Sequence, residues 1–151
     1  MNTLSTFERD MESRAVGTVF LLRRDGSVLM QHRDDKPNLC RPGMWVPPGG
    51  HRNPNEPMAA CARREFLEET GYDCDDLRWL TTVIDDPGGG WPAYPLYVYW
   101  AFYDGKRPLH CLEGQALKFL NRNEAKDYPI PPLIFELWDR VLGVAFQRAQ
   151  K

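Results

Sequence analysis

The chain has 151 residues, of which 42% are hydrophobic and 26% charged, and its formal net charge is −2. A chain of this length supports one domain with a sizeable core. The near-neutral balance gives no indication of the basic surface that long nucleic acids usually require, and no apolar run approaches the length of a membrane span. The cysteines form no C-x-x-C pair, so we expect reduced thiols and a cytoplasmic location rather than a disulfide or zinc framework.

The first segments of the chain predict a leader followed by a hairpin. Residues 1–14 are polar and mixed in charge, without the apolar core of a secretory signal, and we predict a loosely held leader there. Residues 15–22 are apolar and rich in bulky or β-branched side chains, which favours a buried strand. Asp25 and Gly26 then favour a tight turn, and residues 28–33 return as a second strand.

The middle of the chain predicts a turn and then a helix. Residues 44–46 form a short apolar segment, which the Pro-Pro-Gly-Gly run at 47–50 ends by forcing the backbone to turn. A helix is predicted over residues 57–70, where a proline is tolerated at the first position. Asn55 or Glu56 is available to cap this helix.

Three carboxylates crowd one face of this predicted helix. Glu65, Glu68 and Glu69 stand at positions i, i+3 and i+4, which share a face at 3.6 residues per turn. Like charges at this spacing destabilise a helix by a few tenths of a kcal/mol per pair. Such a triplet is most often a solvated face, since glutamate is a good helix former. The alternative is that the three acids face a cation, and the flanking residues decide between the two.

The second half of the chain adds strands and a final helix. Strands are predicted over residues 77–84, 94–103 and 116–120, the second of them strongly aromatic. Residues 133–149 carry an apolar stripe with a period of 3.6, which indicates a helix packed on a core. Several strands and two helices in irregular order indicate an α+β fold, and we predict one domain over residues 15–151.

A spaced pattern of glycines, acids and an arginine surrounds the carboxylate triplet. Its members are Gly50, Glu56, Arg64, Glu65, Phe66, Glu68, Glu69, Gly71 and Tyr72. These residues and their spacings resemble the Nudix box without departure. The resemblance implies a Nudix-type α/β/α sandwich around a central mixed β-sheet. It also implies a hydrolase that cleaves a pyrophosphate bond in nucleoside diphosphate-linked compounds with Mg²⁺, or alternatively Mn²⁺.

The resemblance assigns roles to the charged residues of the box. Glu68 and Glu69 would be the principal metal ligands, with Glu65 as a further ligand or as the base that activates water. Hard cations such as Mg²⁺ take oxygen ligands, and hydrolysis of a pyrophosphate bond needs both a deprotonated water and neutralised phosphate oxygens. Arg64 would orient the glutamates through forked hydrogen bonds. Glu56 is interpreted as structural, tying the preceding loop to the helix.

Other residues outside the triplet are candidates for the same site. Gly49 and Gly50 permit a tight turn whose carbonyl can reach the metal, as in relatives. Glu113, followed by Gly-Gln, resembles a segment of MutT-like enzymes in which the glutamate approaches the metal, so it is a candidate ligand or general base. A solvated turn glutamate fits Glu113 equally well. Arg33 matches a family position that contacts substrate phosphates, and a plain surface arginine fits it equally well.

Substrate recognition is expected in the loops. Trp91 and Tyr94 are the candidates for an aromatic platform under a base, although packing roles are common for such residues. Arg41 and Lys36 are weaker candidates for phosphate contacts. Residues 128–132 resemble the proline-containing segment before the last helix of MutT-like enzymes but lack the asparagine that reads oxidised guanine there. Specificity for 8-oxoguanine nucleotides is therefore not expected.

The predicted function is that of a Mg²⁺-dependent, MutT-like nucleoside triphosphate pyrophosphohydrolase. The alternatives are a nucleotide-sugar or ADP-ribose hydrolase, and a catalytically silent Nudix domain that senses a nucleotide. The silent alternative is disfavoured because every carboxylate of the box is present. The expected partner is a nucleotide-type small molecule rather than a long nucleic acid or a membrane. A homodimer is also left open, with residues 94–103 or the leader as its interface.

Overall fold

The computed structural model describes residues 5–147 of the chain. Within them no helix is both long and apolar enough to cross a membrane. The elements in chain order are α1 Thr6–Ser13, β1 Val16–Leu22, β2 Val28–His32, β3 Trp45–Val46, β4 Gly49–His51, α2 Met58–Thr70, β5 Arg78–Asp85, β6 Tyr94–Phe102, β7 Ala116–Leu120, a 3₁₀ helix at Glu124–Asp127, and α3 Pro132–Ala145.

The strands form one mixed sheet in which β1 is central. The order β3-β2-β1-β6-β5 forms its main path, while β4 pairs with β1 and β7 pairs with β2. Strand β1 runs parallel to β6 and antiparallel to β2 and β4. Strand β4 pairs with the beginning of β1, where Gly17 faces Gly50, whereas β2 joins β1 at its end, where Leu22 faces Val28.

A helix packs on each face of this sheet. Successive side chains of β1 point to opposite faces, so they contact the two helices in turn. Val19 and Leu21 belong to a buried cluster that includes residues of α2. Phe20 and Leu22 belong to a second buried cluster that includes Trp138 and other residues of α3. The α+β class and the α/β/α sandwich around a mixed sheet are therefore confirmed. The strands and helices that the periodicity predicts are present, with ends displaced by one or a few residues.

The predicted leader contains a helix that the polar composition did not reveal. Helix α1 begins with a capping box, since the Ser5 hydroxyl accepts a hydrogen bond from the Glu8 amide at 3.1 Å and the Glu8 carboxylate accepts one from the Ser5 amide at 3.4 Å. No residue of α1 is buried. It is held to the sheet by the Tyr97 hydroxyl of β6, which lies 3.3 Å from the Glu12 carboxylate. Residues 1–4 lie outside the described part of the chain.

Strand β4 stands where the sequence predicts only a turn. The glycines of this segment are needed for close approach as well as for turning, because a Cβ on Gly49 would collide with the backbone of β1. The backbone of β4 therefore lies directly against β1, with Thr18 opposite Gly49. This pairing brings the glycine pair under the first turns of α2.

The ends of the two long helices differ from the predicted ones. Pro57 is the N-cap of α2 and no side chain caps this end, so the predicted cap by Asn55 or Glu56 is wrong. The carboxylate of Glu56 is instead engaged by Arg64. At the other end Gly71 adopts the left-handed conformation, with φ 74°. Helix α3 ends at Ala145, and residues 148–149 of the predicted helix lie outside the described residues.

Candidate active site

Helix α2 presents its acidic face to strand β4. A Cβ placed on Gly50 would collide with the carboxylate of Glu65, so only a glycine allows this helix to sit so close to the strand. Burial raises the pKa of Glu65, although the hydrogen bond from Arg64 acts in the opposite direction. The glycine pair and Glu65 are thus brought together, as the sequence predicts.

Arg64 holds three carboxylates at once. Its Nε and Nη2 donate to the two oxygens of Glu56 at 2.8 and 2.9 Å, and its Nη1 donates to Glu65 at 2.8 Å. Nη1 also lies 3.3 Å from both oxygens of Glu68, whose side chain is 57% exposed. The hydrogen bonds from Arg64 lower the pKa of Glu56 to about 2. The interpretation of Glu56 as a structural residue that ties the loop to the helix is confirmed.

Glu69 is the buried member of the triplet and is only 3% exposed. Its Oε1 accepts a hydrogen bond from Gln31 Nε2 at 3.0 Å. Its Oε2 is buried without a hydrogen-bond partner among the described residues. Burial, and next the nearby carboxyl of Glu113, raise the pKa of Glu69. An unpaired buried carboxylate beside a second acid is costly unless a cation accompanies it.

The donor set fits a divalent metal by its chemistry. Carboxylates and main-chain carbonyls are the ligands that Mg²⁺ prefers, and Glu69 supplies a buried oxygen that lacks a partner. Within residues 5–147, however, no three His, Cys, Asp or Glu side chains converge as a ready metal cage. In this structure Arg64 binds Glu65 and Glu68, while Gln31 binds Glu69.

A cavity of about 380 Å³ opens beside the acids. Of the residues named as candidates from the sequence, seven line it: Arg33, Arg41, Gly49, Gly50, Glu65, Tyr94 and Glu113. Arg64, Glu68 and Glu69 are not among the residues that line it. Trp91 is not among the lining residues; it lies in the glycine-rich loop between β5 and β6 and is 41% exposed.

Arg41, Tyr94 and Asp85 form a polar cluster that lines the same cavity, and sequence reasoning missed both Asp85 and its pairing with the other two. Arg41 donates from Nη1 and Nη2 to the two oxygens of Asp85, both at 2.7 Å, and the Tyr94 hydroxyl donates to Asp85 at 2.6 Å. Burial would raise the pKa of Asp85, but the hydrogen bonds from Arg41 and Tyr94 outweigh it and hold the pKa below its ordinary value. The one available signal was an acid directly after a predicted strand, which is too common to identify a partner.

Comparison with known proteins agrees with the box. Residues 11–137 match the family described as NUDIX domain. The CTP pyrophosphohydrolase of Escherichia coli is 25% identical over 128 residues, which cover 85% of this chain and 91% of that protein. The m7GpppN-mRNA hydrolase of Bos taurus is 35% identical over 85 residues, which cover 54% of this chain and 26% of that protein. The chain thus spans about a quarter of the length of this second relative.

Solved structures share the fold. A MutT NUDIX hydrolase from Burkholderia pseudomallei matches with a TM-score of 0.70 and 24% identity, over 85% of this chain and 97% of that one. The NUDIX domain of Shewanella oneidensis NrtR, solved with ADP ribose, matches with a TM-score of 0.71 and 17% identity, over 91% of this chain and 88% of that one. Since the family match spans residues 11–137, the chain belongs to the Nudix family of hydrolases.

Proposed function

We propose that the protein is a Mg²⁺-dependent pyrophosphohydrolase that acts on nucleoside triphosphates. The buried Oε2 of Glu69 carries this proposal, because it has no partner in residues 5–147 although a second carboxyl stands beside it. A bound Mg²⁺ would neutralise phosphate oxygens and make a bound water more acidic. Glu65, Glu68, Glu69 and Glu113, with the carbonyls of Gly49 and Gly50, are the groups that would hold it.

The remaining residues serve orientation, proton transfer and substrate contact. Arg64 is a positioning residue, since it binds the carboxylates of Glu56 and Glu65 and is not among the residues that line the cavity. Glu65 and Glu113 both line the cavity, and either carboxylate can accept the proton of the attacking water. Arg33 would contact the phosphates and Tyr94 the nucleoside, because both line the same cavity. Trp91 remains a proposed contact for the base only because its loop directly precedes β6, the strand that begins with Tyr94.

The relative that aligns along most of the chain supports a nucleoside triphosphate substrate. The Escherichia coli protein is named as a CTP pyrophosphohydrolase, and the alignment covers 91% of it. We also propose that residues 15–151 form the catalytic domain and that the protein works in the cytoplasm. Pairing of two chains is a further proposal, for which β6 offers little free surface because most of its residues are buried.

A substrate panel tests the proposal. The purified protein is incubated with the common nucleoside triphosphates, ADP-ribose and a nucleotide sugar, with Mg²⁺ or with EDTA, and the products are separated by anion exchange. We expect Mg²⁺-dependent release of a nucleoside monophosphate or diphosphate from a triphosphate. Turnover of ADP-ribose alone would move the assignment to the second class of substrate. Nucleotide binding without any product would indicate a silent domain.

A further inference from the structure

The cluster of Arg41, Asp85 and Tyr94 has no task in the cleavage chemistry described above. No hydrogen bond within the described residues joins it to the carboxylates of α2, yet it lines the same cavity as Glu65 and Glu113. A nucleotide whose phosphates lie at the acids has its base elsewhere in this cavity. The cluster is therefore placed to contact the base or sugar.

The guanidinium of Arg41 is fixed in an unusual conformation. Its side chain is 20% exposed, and that of Asp85 is 5% exposed. The backbone of Arg41 has φ 53°, in the left-handed region that residues other than glycine rarely adopt. Two hydrogen bonds to Asp85 and one to Tyr94 hold the side chain despite this strain. The donors of Arg41 are thus directed before any ligand arrives.

Counting donors shows what Arg41 can still offer. A guanidinium carries five N–H groups. Asp85 receives one from each terminal nitrogen, and the second N–H of Nη1 faces the Tyr94 hydroxyl at 3.3 Å. The Nε–H and the second N–H of Nη2 have no acceptor among the residues that the structure describes. These two groups are parallel and together form a two-donor fork.

The charge of this fork is already balanced. Asp85 is bound through both oxygens and carries the opposite charge, so the pair as a whole is neutral. A neutral pair is a weak anchor for phosphate, so the phosphate contact that the sequence suggested for Arg41 is not the role that this geometry favours. It suits a neutral group that presents two adjacent acceptors, because such a group pairs with both donors at once.

We propose that Arg41 selects nucleobases with two adjacent hydrogen-bond acceptors, namely guanine or cytosine. Guanine offers O6 and N7 to an arginine fork, and cytosine offers O2 and N3. Adenine places a donor beside N7, and uracil and thymine place an N–H between their two carbonyls, so neither pairs with the fork. In 8-oxoguanine N7 carries a hydrogen, which removes the acceptor. This inference rests on the proposed function and names the class of base within it.

The experiment compares kcat/KM for GTP, CTP, ATP and UTP between the native protein and Arg41→Lys. The native protein is expected to favour GTP or CTP over ATP and UTP by roughly 5- to 100-fold, the range of one bidentate contact. Arg41→Lys lacks the fork and should lose most of this preference while still hydrolysing nucleotides. Arg122→Lys is the matched control, because Arg122 also binds an aspartate, Asp139, through two nitrogens but lies outside the cavity.

Two modified substrates decide the question on the native protein, even where Arg41→Lys fails to fold. 7-Deaza-GTP lacks the N7 acceptor of guanine, and 3-deaza-CTP lacks the N3 acceptor of cytosine. The analogue of the preferred base should therefore be turned over no faster than ATP or UTP. Equal turnover of all four bases, or full turnover of both analogues, overturns the inference while leaving the proposed function intact. Absence of turnover for every triphosphate overturns the proposed function itself.

Discussion

Gln31 Nε2 donates to Glu69 Oε1 at 3.0 Å and lies 3.3 Å from the main-chain carbonyl of Glu113. One amide on β2 thereby fixes an acid of α2 and the loop before β7. The free oxygen of Glu69 is consequently held in one place, which is the condition for a preorganised ligand. The position of this carboxylate therefore depends on three parts of the chain, namely β2, α2 and the loop before β7.

Replacing Glu69 by glutamine should abolish most of the activity without loss of the fold. We expect kcat to fall by roughly 100- to 1,000-fold or more, because a group that stabilises developing charge is lost. Thermal unfolding should be unchanged or shifted upward, since an amide is buried at a lower cost than an unpaired carboxylate. Steady-state kinetics and circular dichroism measure the two effects. Glu136→Gln, on the exposed side of α3, is the control and should keep full activity.

Arg64→Lys separates orientation from substrate contact. A lysine cannot reproduce the fork to Glu56 together with the bond to Glu65. Loss of such an orienting residue typically costs 10- to 100-fold in activity or metal affinity, so we expect kcat to fall with little change in the KM for nucleotide. Arg63→Lys is the neighbouring control, because Arg63 binds Asp73 on the surface. A rise in KM with an unchanged kcat would instead indicate that Arg64 contacts the substrate.

Acid should weaken the protein through Glu56. Its folded pKa is lowered to about 2 by Arg64, with smaller help from the backbone of Asn53 and from Cys61. A depressed carboxyl pKa stabilises the folded state above the unfolded pKa of about 4.5, and this contribution disappears as the pH falls toward 2. Denaturant unfolding at pH 7 and pH 3 should therefore show a smaller loss of stability for Glu56→Gln than for the native protein. Equal losses in both proteins would show that Glu56 does not contribute.

Local sequence patterns predicted the parts of the fold whose cause is local. The apolar run of β1 and the apolar stripe of α3 reflect burial against a core, and the box fixes α2 and its acids. Helix α1 was missed because its segment is short and polar and none of its residues is buried. Strand β4 was missed because three residues with two glycines read as a turn, and only pairing with β1 makes them a strand.

The contacts of the candidate site also divide into local ones, which the sequence predicts, and non-local ones, which it does not. Arg64 and Glu68 interact at the i,i+4 spacing of one helix, and such a contact follows from spacing alone. Arg41 and Asp85 are 44 positions apart and meet only after β5, β6 and the loop following β2 are assembled. Neither residue carries a local pattern that names the other. Trp91 was considered because it is aromatic and near a predicted strand, and neither property determines which way its loop faces.

Gly50→Ala tests the close approach between β4 and α2. The new methyl group would collide with the carboxylate of Glu65, so either the acid or the helix has to move. We expect destabilisation of about 1–3 kcal/mol, the usual cost of overpacking, and a larger loss of activity because Glu65 is displaced.

Gly143→Ala is the opposite case, since a Cβ there meets no atom within 4 Å. Alanine at this position, in the last turn of α3, should stabilise the protein by up to about 0.5–1 kcal/mol with unchanged kcat. Thermal unfolding and kinetics of the two variants side by side would distinguish steric conflict at the site from a general effect of glycine replacement. Normal activity in Gly50→Ala would show that Glu65 does not require the glycine.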